Sequence, residues 1–243
     1  MYLQDYFIFM AAILICFIFS AVASGKVKSA FQKHNSKRSR HGFTGYDTVI
    51  CLMRRKGVYD ISVGSVGGEL TDHYHPAKKI VNLSQSTYSS SSVAAVAVAA
   101  HEMGHVMQKK DGYALYKLRT ALVPAVNIGS WLAMPLVLIG ILLDFFVLAS
   151  GETLGFYIAM IGVALYGGSF LFALVTLPVE LDASRRAQKM LIEEGILTQD
   201  EIPAAKEVLS AAALTYLASL LTSLVYFLRF LFYVLTIFGK RDD

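Results

Sequence analysis

Four long apolar blocks, residues 3–23, 121–148, 153–177 and 208–238, constrain this chain more than any other feature. A helix rising 1.5 Å per residue crosses bilayer hydrocarbon in about 20 residues, and each block is of that order or longer. Only 16% of the 243 residues are charged, against about a quarter in soluble domains. The chain therefore reads as a mainly α membrane protein with about four transmembrane helices. The polar remainder is enough for one modest domain.

Charge sets the expected topology. The first block ends in Ala21-Val22-Ala23, which resembles a signal-peptidase site, but its start carries no Lys or Arg. An uncleaved anchor over residues 1–25 is expected. Lys26, Lys28, Lys33, Lys37, Arg38 and Arg40 follow. By the positive-inside rule that segment is cytoplasmic and the N-terminus faces out. Residues 121–178 then form a hairpin of spanning helices whose connector, Ser150-Gly151-Glu152, has no Lys or Arg. Lys109, Lys110, Lys117 and Arg119 precede it, and Arg185, Arg186 and Lys189 follow, so both ends return to the cytoplasm. Asp144 is expected near the outer interface. Residues 208–243 stay open, because Arg229 is costly mid-membrane. Either 208–228 spans, or the block begins as a buried helix and spans later. The basic run is a solvated juxtamembrane face with some attraction for lipid headgroups. No aromatic interleaving accompanies it, which speaks against nucleic acid. Cys16 and Cys51 lack CxxC partners, so neither a disulfide framework nor a thiolate metal site is supported.

Residues 26–120 and 179–207 are the two polar segments. In the first, a short helix is expected over 42–53, a strand over 58–63, a turn at Gly64, Gly67 and Gly68, and a strand over 79–84. The serine run 89–92 offers an N-cap to a buried Ala/Val-rich helix over 93–110. In the second, a helix over 180–194 ends at Gly195.

The chemistry concentrates in His101-Glu102-Met103-Gly104-His105. Residues four apart share one helix face, and two imidazoles so spaced can ligate one Zn²⁺ at about 2.0–2.1 Å. Glu102 can then take the proton of the attacking water. Such groups on a buried helix are expensive unless paired or metal-bound. Gly104 lowers helix propensity and makes sense if something packs closely there. A catalytic zinc usually has a third protein ligand. Candidates are Glu180, Asp182, His73 and His75. Glu180 is favoured because the hairpin returns it to the face of the membrane that carries the His101 helix. Asp182 can instead accept from a ligating histidine. Arg185 and Arg186 could steady a carboxylate or bind a substrate terminus, or simply belong to the positive-inside charge.

Several motifs, in order along nearly the whole chain, resemble the YugP-type neutral zinc metallopeptidases of bacterial membranes. They are Leu70-Thr-Asp-His-Tyr-His-Pro76, Leu83-Ser84, Ala99-Ala-His-Glu-Met-Gly-His-Val-Met-Gln108, Leu177-Pro-Val-Glu-Leu-Asp-Ala-Ser-Arg-Arg-Ala187 and Ala212-Ala-Leu-Thr-Tyr216. The resemblance implies a membrane-bound zinc peptidase of the plasma membrane, with His101, His105 and Glu180 as ligands and Glu102 as base. Tyr216 is an oxyanion candidate on the same ground, and His73 is another. Two departures stand out. Membrane peptidases of the CAAX-prenyl-endopeptidase kind carry Glu-x-x-Ala-Asp where this chain has Glu180-Leu-Asp-Ala-Ser184. Family members tend to read His-Tyr-Asp-Pro where this chain has His75. Residues 78–84 are expected to hold substrate as an edge strand.

The expected architecture is thus four transmembrane helices with a cytoplasmic α+β region, an HExxH helix plus a small sheet. The expected partners are a peptide or membrane-protein substrate, membrane lipid and an adaptor protein that delivers substrates. The main alternative is a non-catalytic zinc-containing membrane scaffold or adaptor. A transporter is disfavoured because spans 121–148 and 153–177 carry no charge in their middle.

Overall fold

Local capping accounts for several element boundaries in the polar part of the chain. Thr44 and Asp47 form a reciprocal capping box at the start of one helix, and Ser92 Oγ accepts from Ala95 N–H at 3.1 Å at the start of another. A computed structural model describes residues 2–146 and 154–239. The elements are α1 (Tyr2–Asn35), α2 (Gly45–Arg55), β1 (Ser62–Val66), β2 (His73–His75), β3 (Ile80–Ser84), α3 (Gln85–Tyr88), α4 (Val93–Lys110), α5 (Ala114–Phe146), α6 (Leu154–Glu193) and α7 (Ile202–Phe238). The fold is mainly helical with a small mixed sheet, and α1, α5, α6 and α7 are long and apolar enough to cross a membrane. The connector Ser150-Gly151-Glu152 lies outside the described residues.

The chain divides into two compact units. One comprises Met1–Ala21, Leu118–Leu177 and Tyr216–Asp243. Its α5 and α6 approach closely at small residues: a Cβ on Gly162 would lie 2.6 Å from the Ala133 carbonyl oxygen. Val137, Ala159, Val163, Val234 and Phe238 form its core, while Phe7, Ile128, Trp131 and Tyr157 are exposed. An apolar exterior of that kind suits lipid rather than water. The Arg229 guanidinium lies 5.5 Å from the Tyr233 ring centroid.

The other unit comprises Val22–Lys117 and Pro178–Thr215. Its core joins Val49 and Leu52 of α2, Val81 and Leu83 of β3, Ala97, Ala100 and Met103 of α4, Ala187 and Leu191 of α6, and Leu209 of α7. The sheet order is β1-β3-β2, with β1 parallel and β2 antiparallel to β3.

Four details differ from the sequence expectations. The first strand is shifted, running through Gly64 instead of stopping there. A Cβ at Gly64 would lie 2.7 Å from Asn82 Oδ1, so this glycine serves a close cross-strand approach rather than a turn. The 79–84 strand is central, paired on both sides, and cannot offer a free edge. Helix α6 continues through Pro178, which removes one ladder hydrogen bond without ending the helix. Glu180, expected at the start of a helix over 180–194, is therefore mid-helix. Finally, the 208–238 block is part of one helix starting at Ile202, with Val208 and Leu209 buried. It begins as a buried helix, the second of the two alternatives.

Candidate metal centre

Helix α4 is buried over most of its length because its first two turns are all Ala and Val. His101 and His105, one turn apart, stand with ring centroids 4.8 Å apart and planes at 83°. Helix α6 passes next to them, and Gly104 is what permits the approach. A Cβ there would collide with the Ala183 carbonyl oxygen and lie 3.0 Å from Ala183 Cα. The expected close packing at Gly104 is thus the α6 backbone itself.

This approach delivers Glu180. Its Oε2 lies 3.1 Å from His101 Nε2 and 3.4 Å from His105 Nε2, and the side chain is 2% exposed. Among the described residues, His101, His105 and Glu180 form a group whose ligand atoms lie within 4.8 Å of one another. Two donors each about 2.0–2.1 Å from a tetrahedral ion lie about 3.3–3.4 Å apart. The two separations from Glu180 are close to that spacing and all three donors lie within 4.8 Å of one another, so the donor set fits a zinc ion.

The outer nitrogens are also engaged. His101 Nδ1 lies 3.2 Å from Ser184 Oγ, and His105 Nδ1 lies 2.9 Å from Gln108 Oε1. Gln108 Nε2 donates to the Val179 carbonyl at 2.7 Å and to Asp182 Oδ2 at 2.8 Å. Asp182 Oδ2 also accepts from Arg186 Nε at 2.6 Å, and Arg186 Nη1 reaches Asp111. Asp182 therefore meets His105 through Gln108 rather than directly. Ser184, four residues after Glu180, brings its hydroxyl to His101. Arg185 is exposed.

Glu102 is buried beside this group. Burial pushes its carboxyl up to about 7. The nearby His101 opposes the rise, the Glu180 and Asp72 carboxylates add to it, and a hydrogen bond from the Tyr74 backbone N–H opposes it. Asp72 itself accepts from Ser84 N–H at 2.8 Å and Ser84 Oγ at 2.9 Å, tying the start of β2 to the end of β3.

The other expected residues sit elsewhere. His73 Nδ1 is 2.9 Å from the Thr71 carbonyl and its Nε2 is 3.0 Å from Asn82 Nδ2. His75 Nδ1 accepts from Lys78 N–H at 3.3 Å. Both point away from the sheet face that carries Tyr74 and Val81 into the core. Tyr216 lies on α7 and falls in the other unit. Sequence reading gave no role to Gln108 and Ser184. The signal for Gln108 was a polar residue three places after His105, on the same face of an apolar helix. The signal for Ser184 was its place four residues after Glu180.

Residues 8–235 match the family described as "Putative neutral zinc metallopeptidase". The chain belongs to this family. It is also 39% identical over 221 residues to the "Putative membrane protease YugP" of Bacillus subtilis (strain 168), covering 91% of this chain and 92% of that protein. No solved structure matches the chain. A zinc-peptidase family and a metal-sized group of two histidines and a glutamate, on two helices pressed together at Gly104, agree with each other.

Proposed function

We propose that the chain is a membrane-bound zinc-dependent endopeptidase that cleaves membrane-associated proteins or peptides at the cytoplasmic face of a bacterial plasma membrane. The observation that carries this reading is the convergence of His101 Nε2 and His105 Nε2 on one oxygen of Glu180, with buried Glu102 alongside. In this reading His101, His105 and Glu180 hold the zinc. A zinc ion there supplies a Lewis acid for the scissile carbonyl and lowers the pKa of water towards about 7. Glu102 takes the proton of the attacking water and returns it to the leaving amine. The positive-inside pattern of the flanking Lys and Arg supports the cytoplasmic side. A chain with four helices apolar enough to cross a membrane suits membrane-bound substrates, and an adaptor that delivers them is compatible.

Substrate backbone would meet β2. In an antiparallel pair, β2 pairs only with β3 and is an edge strand of the sheet, and it begins beside buried Glu102, whose carboxyl feels the Tyr74 backbone. The N–H and C=O of one residue point the same way in such a pair. The backbone groups of β2 that do not pair with β3 can bond an extended peptide. Both ring nitrogens of His73 are already engaged, and the family resemblance alone makes Tyr216 the oxyanion donor in this reading. Arg185 meets substrate charge, while Asp182 and Arg186 brace the His105 side.

The test is zinc content together with cleavage of a membrane-associated peptide by purified protein. Wild type should hold zinc and cleave. Glu102→Gln should hold zinc and not cleave, and Glu180→Ala should lose the metal. Wild type without zinc, or a fully active Glu102→Gln variant, overturns the reading.

A further inference from the structure

We propose that Gln108 is a positioning residue that keeps the proton of His105 on Nδ1 and so commits Nε2 to the metal. The claim deepens the zinc-peptidase reading and rests on it for the identity of the metal. The argument begins with an amide that cannot turn over. Gln108 is completely buried. Its Nε2 faces two groups that only accept, the Val179 carbonyl at 2.7 Å and Asp182 Oδ2 at 2.8 Å. Asp182 is held as an acceptor because Arg186 Nε donates to the same oxygen at 2.6 Å, and Arg186 is itself held by Asp111. Rotating the amide by half a turn would point Oε1 at two acceptors and bury two repulsive contacts.

Oε1 must therefore face His105, and an amide oxygen can only accept. The His105 atom 2.9 Å away, Nδ1, has to carry the proton. In the neutral ring the lone pair is then on Nε2, aimed at Glu180 Oε2 at 3.4 Å. Two acceptors facing each other at that distance require a proton or a cation between them. A metal ion held by both groups would meet that requirement. His101 has no such lock: its Nδ1 faces the hydroxyl of Ser184 at 3.2 Å, which can donate or accept. The two ligands thus differ. His105 is set before metal arrives, whereas His101 can choose.

The same amide also joins two elements. It sits on α4 and bonds a carbonyl and a carboxylate of α6, the helix that supplies Glu180. Partners of this kind, one step removed from the metal, typically change metal affinity 10–100-fold when removed.

The experiment uses full-length protein in detergent with ¹⁵N-labelled histidine, the His105 signals assigned with His105→Ala. The zinc-free wild type is titrated until the His105 ring is neutral, and two-bond ¹H–¹⁵N correlations report which nitrogen is protonated. The expected result is a proton on Nδ1. In Gln108→Leu the neutral ring should shift towards the Nε2–H form, and the zinc Kd, measured against a competing chelator, should rise about 10–100-fold. A neutral wild-type ring protonated on Nε2, or a Gln108→Leu variant with wild-type zinc affinity, overturns the assignment. If Gln108→Leu does not fold, Asp182→Ala removes the brace from a half-buried position. It should weaken zinc binding in the same direction, and an unchanged Kd counts against the chain. Wild type that binds no zinc sinks the peptidase reading alone, since the ring readout is made without metal.

Discussion

Glu102→Gln separates what the buried carboxyl does for catalysis from what it does to stability. Burial lifts this carboxyl from 4.5 to about 7, which corresponds to about 3 kcal/mol of penalty on its charged form. The folded pKa is above the unfolded one, so the folded state binds more protons between about pH 4.5 and 7. Stability therefore falls as pH rises through that window and stays low above it. Glutamine cannot ionise, yet it keeps an oxygen to accept the Tyr74 N–H. Zinc-free Glu102→Gln should thus be more stable than zinc-free wild type at about pH 8, by up to about 3 kcal/mol, with the difference vanishing near pH 4.5. Thermal unfolding in detergent with a chelator, at both ends of that range, measures this. With zinc present the gap should narrow, because a nearby dication favours the carboxylate. The same variant should lose on the order of 10²–10⁴ in turnover. Equal stability at pH 8 would refute the burial argument, whereas full turnover would refute the role as base.

Four further outcomes follow from the geometry. Gly104→Ala places a methyl against the Ala183 backbone, which should cost about 1–3 kcal/mol and, by displacing Glu180, lower turnover on the order of 100-fold; unfolding and kinetics check both. Glu180→Gln keeps the size of the side chain but not its charge, and metal analysis should show the zinc lost. Tyr216→Phe should keep its zinc while kcat falls on the order of 10²–10³, and a wild-type kcat removes Tyr216 from the oxyanion role. Chelation should lower the unfolding temperature of wild type, by about 2.7 kcal/mol equivalent if free zinc had stood at 100 times Kd, but leave that of Glu180→Gln unmoved.

What was legible in the sequence was what is local or periodic. The four apolar helices followed from block length. The pairing of His101 with His105 followed from helical spacing, and the cap at Ser92 from the serine run. What was not legible depends on elements far apart in sequence. Glu180 is 79 residues from His101, and its place was inferred from the return of a hairpin rather than from any spacing. A lone proline is a local signal for a helix end, yet α6 runs on through Pro178. The edge strand was misplaced for a similar reason. Residues 79–84 are the most apolar strand, and that is why they are central, with Val81 and Leu83 fully buried and β1 and β2 on either side. The more polar β1 and the short His73-Tyr74-His75 segment make the two edges.

The donor set also explains why Gly104 lies between the two histidines. The metal group is divided between α4 and α6, and its atoms must come within 4.8 Å of one another. Helix axes with larger side chains at the contact stand about 8–10 Å apart, which would hold a short Glu180 side chain away from two imidazoles on the facing helix. Removing the side chain at Gly104 lets the α6 backbone move in at Ala183, one turn after Glu180 and one residue before Ser184. A single close contact thereby brings a carboxylate to the inner nitrogens of the histidine pair and a hydroxyl to the outer nitrogen of His101. Gln108, one turn further along α4, fixes the same two helices at Val179 and Asp182. Helix packing and ligand assembly are then one event, and anything that loosens α4 from α6 must show itself first as lost metal affinity.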